Sequence, residues 1–133
     1  MKITQEADYA LRIILYLSKL GVGAKTEANQ ISDELHIPKR FTLKIMRKLA
    51  HSGIVKSYRG VNGGYALDKE PKRVTFKDVI ETIDGPICVN RCLIDKNLCN
   101  LNIAHKCTIH KALGNTQKML NDELASINFG DLL

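Results

Sequence analysis

Apolar positions recur along the chain at two periods. From Glu6 to Leu20, the residues Tyr9, Ile13, Tyr16, Leu17 and Leu20 follow a helical repeat, which predicts a first helix ended by Gly21-Val22-Gly23. A second helix is expected after Thr26, a suitable N-cap, with Ala28, Ile31 and Leu35 turned inward. His36-Ile37-Pro38 breaks it, because the residue before a proline avoids the helical region. A third helix is predicted from Pro38, in its first turn, to Ser52, where Gly53 stops it. Phe41, Ile45 and Leu49 form its inner side, with Thr42 and Met46 beside them.

The period then changes. Ile54 to Tyr58 is short, β-branched and partly alternating, and Tyr65-Ala66-Leu67 is its expected partner. Asn62-Gly63 lies between them, a dipeptide that tolerates positive φ and predicts a hairpin turn. A fourth helix begins at Thr75, with Asp78 completing a capping box, and ends at Asp84-Gly85-Pro86. The last and longest runs from about Lys106 to Ala125, with Ile109, Ala112, Leu113, Thr116, Met119, Leu120 and Leu124 on one stripe. Phe129 to Leu133 close the chain. The fold class is therefore mainly α with a small β-hairpin: a winged helix-turn-helix followed by a long C-terminal helix. The expected divisions are residues 1–85, a cysteine-rich loop over 86–106, and the helix and tail over 107–133.

Charge gives this pattern a direction. Residues 1–75 hold 14 Lys/Arg against 7 Asp/Glu, and residues 76–133 hold 6 against 7, so the first half carries the whole basic excess. A polyanion is its expected partner. In a winged helix-turn-helix the helix after the break enters the major groove. Once core positions are removed, Lys39, Arg40, Leu43, Lys44, Arg47 and Lys48 remain for its outer face, and five of the six are cationic. At the hairpin tip Arg59 stands beside glycines, with Asn62 and Gly63, where an arginine suits a minor groove.

All four cysteines, Cys88, Cys92, Cys99 and Cys107, fall in one window that ends at His110. Cys107 and His110 are three residues apart and would share a helix face. A thiolate-rich loop leading into a helix suits a soft metal or an iron–sulfur cluster. No stretch reaches membrane-span length, and the N-terminus lacks the features of a signal peptide. Reduced thiols in a cytoplasmic protein read as ligands or redox groups before structural bridges. No glycine motif follows a strand into a helix and no C-x-x-C occurs, so an enzyme or electron carrier is not expected. A zinc-stabilised winged helix and a cluster-free, thiol-redox or partner-controlled regulator remain as alternatives.

The segments ITQEADYALRIILYLS, HIPKRFTLKIMRKLAHSGIVKS, RGVNGGYALDK and VTFKDVIETIDGP, followed by RCLIDKNLCNLNIAHKCTIH, resemble the Rrf-two family of bacterial transcription regulators, which includes IscR-type and NsrR-type iron–sulfur regulators. The resemblance implies a DNA-binding repressor acting as a homodimer on a palindromic operator. It implies that the last helix forms the dimer interface through Ile109, Leu113, Thr116, Met119, Leu120 and Leu124. It also implies a cluster held by Cys92, Cys99 and Cys107, although the intervals between them are slightly longer here than is usual. For the fourth ligand His110 goes with a 2Fe–2S cluster and is preferred for its spacing to Cys107. Asp8, supplied by the other subunit, goes with a 4Fe–4S cluster. Cys88 is an extra thiol, an alternative ligand or a buried bystander.

Overall fold

A computed structural model describes residues 2–133. Among the described residues, five α-helices and one two-stranded antiparallel sheet follow in the expected order: α1 (Gln5–Leu20), α2 (Ala28–Leu35), α3 (Lys39–His51), β1 (Val55–Tyr58), β2 (Gly64–Leu67), α4 (Phe76–Asp84) and α5 (Thr108–Ser126). Short 3-10 turns occupy much of the segment between α4 and α5.

Helices α1, α3 and α4 enclose the core with the base of the hairpin. Ile13, Ile14, Leu17, Ile45, Met46, Leu49, Val55 and Val79 are fully buried there. Thr4 caps α1 by accepting a hydrogen bond from Ala7 N–H. Thr75 and Asp78 make both bonds of the predicted capping box. Between α2 and α3, His36 takes a left-handed conformation at φ 54°, and Ile37 is buried behind it. The buried hydroxyls of Ser32 and Thr42 bond at 2.8 Å and pin α2 to α3, which fixes how α3 is presented.

Several local expectations differ. Pro38 is the residue before α3 rather than part of its first turn. Thr26 does not cap α2: the cap position is Glu27, and Thr26 bridges Tyr65 of β2, its N–H and C=O both bonded to that residue. The backbone gains two sheet hydrogen bonds there, which outweighs one side-chain cap. The expected hairpin forms, pairing Tyr58 with Gly64 across a five-residue loop, Arg59 to Gly63. Positive φ occurs at Gly60 and Gly64, not at Asn62 or Gly63. Gly63 is required for another reason: a Cβ there would stand 2.6 Å from the Tyr58 carbonyl oxygen.

The C-terminal tail returns to the winged helix. Phe129 is 1% exposed, lies 5.2 Å from the Phe76 ring centre to centre, and its N–H bonds the Val74 carbonyl. Asn128 forms a β-bridge with Thr75. The tail, grouped by sequence with the last helix, is thus part of the core of residues 1–85.

Candidate functional site

Two surfaces carry the chemistry. The first is α3. Its buried positions, Thr42, Ile45, Met46 and Leu49, leave Lys39, Arg40, Leu43, Lys44 and Arg47 exposed. Leu43 is an apolar residue among four cations, a pairing suited to a thymine methyl flanked by phosphates. Lys48 departs from the expected set. Its ammonium is turned inward, 3.1 Å from Glu6 of α1 and 3.2 Å from the Ile83 carbonyl at the end of α4. Position 48 follows 44 by one turn and leans toward α1, where Glu6 supplies an anion, so the charge is neutralised within the chain. Lys44 also lies 3.6 Å from Glu6 but stays largely solvated. Beyond the sheet, Arg59, Val61 and Asn62 stand free at the wing tip, with Val61 99% exposed.

The second surface is the segment from Cys88 to His110. Four donors line one cavity of about 150 Å³: Cys92, Cys99, Cys107 and His110. Each arrives differently. Cys92 sits in a 3-10 turn opened by Asn90, whose side chain accepts from Arg91 N–H and donates to Cys92 Sγ at 3.5 Å. Cys99 ends a second such turn, capped by Asp95. The Cys99 thiol pKa is lowered, chiefly by hydrogen bonding from the Ile103 and Leu101 backbone, against a smaller opposing desolvation and with lesser help from Asn102 and Arg91. Asn102 adopts φ 57° to close that small loop. Cys107 directly precedes α5, and His110 lies in its first turn with Nδ1 3.1 Å from Cys92 Sγ.

The same face of α5 holds the loop. His110, Gly114, Gln117 and Asn121 recur at helical spacing. Gln117 accepts from Val89 N–H at 3.0 Å, and the Leu93 side chain lies where a Cβ on Gly114 would touch it. Asn121 donates to the Gln117 carbonyl. His110 was expected on this face from its spacing to Cys107; Gly114, Gln117 and Asn121 lie outside the apolar stripe and carry no apolar periodic signal. That stripe splits. Leu113, Leu120 and Leu124 are half-buried against their own chain, while Ile109, Thr116 and Met119 face solvent, Ile109 at 67% and Met119 at 73% exposure.

Two candidate ligands lie elsewhere. Cys88 lines a separate, larger apolar groove with Ile3, Ile80, Pro86, Leu120 and Leu124. Asp8 is partly buried on α1 and paired with Arg12 at 2.6 Å. Among the described residues no three Cys, His, Asp or Glu side chains converge at single-ion separation. Three sulfurs and one imidazole around a shared space nevertheless form a donor set that fits a thiolate-ligated cluster.

Residues 3–133 match a family model described as Rrf2, iron-dependent transcriptional regulator. Solved structures are similar over nearly the whole chain. CymR of B. subtilis, described as the global cysteine regulator, is 26% identical with a TM-score of 0.76, covering 99% of this chain and 95% of its own. A Listeria innocua protein assigned as a transcriptional regulator is 28% identical with a TM-score of 0.79, covering 99% and 85%. The IscR of T. potens is 19% identical with a TM-score of 0.77, again covering 99% and 85%, and at that identity it speaks for the fold alone.

Proposed function

This chain belongs to the Rrf2 family of transcription regulators, and from that premise we propose that it is a homodimeric, DNA-binding repressor whose operator affinity depends on an iron–sulfur cluster. The family is one of regulators, not enzymes. The observation that carries the proposal is the shared cavity of Cys92, Cys99, Cys107 and His110, with His110 Nδ1 3.1 Å from Cys92 Sγ. These four would hold the cluster, a 2Fe–2S centre on this donor set. Asp8 from a second subunit, with a 4Fe–4S centre, is the competing arrangement. Bound there, a cluster supplies chemistry that responds to redox state, nitric oxide or iron supply.

The chain's own residues connect that cavity to DNA. The cysteine segment leaves α4 through Asp84-Gly85-Pro86. Asp84 accepts from the Thr4 hydroxyl at 2.7 Å, and the preceding carbonyl of Ile83 accepts from Lys48 of α3. A shift at the start of the cysteine segment therefore reaches the start of α1 and the DNA-facing helix through two direct bonds. The outer face of α5, with Ile109, Thr116 and Met119, is available to a second copy, as a palindromic operator requires.

Protein purified without oxygen should be brown, with iron and sulfide in equal amounts. Colourless protein with stoichiometric zinc would sink the cluster. A second reading is a cluster-free thiol switch. Its support is the lowered Cys99 pKa together with the higher identity to the cysteine regulator than to the IscR. It predicts colourless, metal-free protein whose DNA affinity changes on thiol oxidation.

A further inference from the structure

A basic surface separate from α3 stands at the base of the wing. Lys56 and Tyr58 alternate onto the outer side of β1, while Val55 faces the core. Lys25 approaches from the loop between α1 and α2, where Thr26 is bridged to Tyr65. Tyr58 pairs with Gly64, which has no side chain to obstruct the ring. Lys25 Nζ lies 4.3 Å from the Tyr58 ring centre, and Lys56 Nζ lies 5.4 Å from the same centre. Arg59 follows directly and is exposed. Among the described residues no ion pair includes Lys25, Lys56 or Arg59. The Lys48 charge is neutralised by Glu6, whereas these two ammonium groups share one ring with no carboxylate against them.

Two ammonium groups brought against one ring repel each other, and an anion within reach of both relieves the repulsion. The fold brings a suitable anion here. A duplex that takes α3 into its major groove runs its phosphate backbone past the adjoining wing. We infer that Lys25 and Lys56, oriented by Tyr58, form a phosphate clamp that extends the DNA footprint from the wing tip to the α1–α2 loop. The inference rests on the DNA-binding reading above and adds to it a contact that sets affinity and orientation without reading sequence.

The test uses a random-sequence duplex of about 30 base pairs and fluorescence anisotropy over a salt series. The double substitution Lys25→Gln, Lys56→Gln should make the slope of log affinity against log salt shallower by about 2, since each phosphate contact contributes about 0.9. Lys118→Gln on α5 should leave it unchanged. Acetylation of the wild-type protein, read by mass spectrometry, should show Lys25 and Lys56 protected by the duplex. If the double variant keeps the wild-type slope and Arg40→Gln flattens it, the clamp is wrong and the DNA-binding reading stands. Unprotected lysines in a bound complex would overturn the clamp as well. If the wild type shows no salt-dependent binding, both readings fall.

Discussion

At the residue scale, similar side chains acquire different roles from their surroundings. Lys44 and Lys48 are one turn apart on α3, yet one stays largely in water and the other is bound by Glu6 and Ile83 O. Cys92 and Cys88 are one turn's spacing apart in sequence, and only Cys92 reaches the cavity with His110. His110→Ala should change the visible spectrum of cluster-loaded protein; an unaltered spectrum would move the fourth position to Asp8 or an outside ligand. Phe129 fills the core from the far end of the chain. Phe129→Ala should cost about 3–5 kcal/mol of unfolding free energy, measured by urea denaturation, since its large side chain would leave a cavity beside Phe76. A loss below about 1 kcal/mol would mean that the tail does not contribute to the core.

At the element scale, α5 has two faces with different work. One carries His110, Gly114 and Gln117 and secures the cysteine segment; the other carries Ile109 and Met119 and is uncovered. Gln117→Leu would leave the half-buried Val89 N–H without its acceptor, a loss of about 1–3 kcal/mol confined to the segment. Faster hydrogen exchange at Val89 and quicker trypsin cleavage after Arg91 or Lys96 are expected, while exchange in α1 and α3 stays unchanged. Uniformly faster exchange across the molecule would show that Gln117 supports the whole fold instead. The wing has its own division: Gly60 and Gly64 supply positive φ, and Gly63 supplies close approach to the Tyr58 carbonyl.

At the scale of the whole molecule, a winged helix and a cysteine segment are joined twice, through Asp84-Gly85-Pro86 and through the returning tail. The tail couples the end of α5 to the start of α4, so displacement of α5 in a dimer would be felt in the core. Met119→Asp, on an exposed position that leaves the fold intact, should convert a dimer to a monomer in sedimentation. It should also weaken binding to a palindromic operator by about 100-fold or more, because the two half-sites would no longer be engaged together. A dimer that persists would remove this face from the interface. Cluster-loaded and cluster-free protein, compared on one operator at fixed salt, should differ in affinity; equal affinities would end the switch reading.

The amino-acid order alone determined the succession of elements, because helix and strand periods, caps and breaking residues act over a few neighbours. The 3.6-residue stripes of α1, α3 and α4, the Thr75-Asp78 box and the stop at Gly53 are all local. The four donors of the cavity were also visible as residue types. Tertiary structure alone decided which charges stay free, which cysteine is set apart, and which side of α5 faces its own chain. Lys48 was indistinguishable from Lys44 until α1 and α4 were packed beside it. Phe129 gave no periodic signal because its partners lie some fifty residues earlier, at Val74 and Phe76. Long-range contacts and the neutralisation of one charge by another depend on distances that no local pattern encodes.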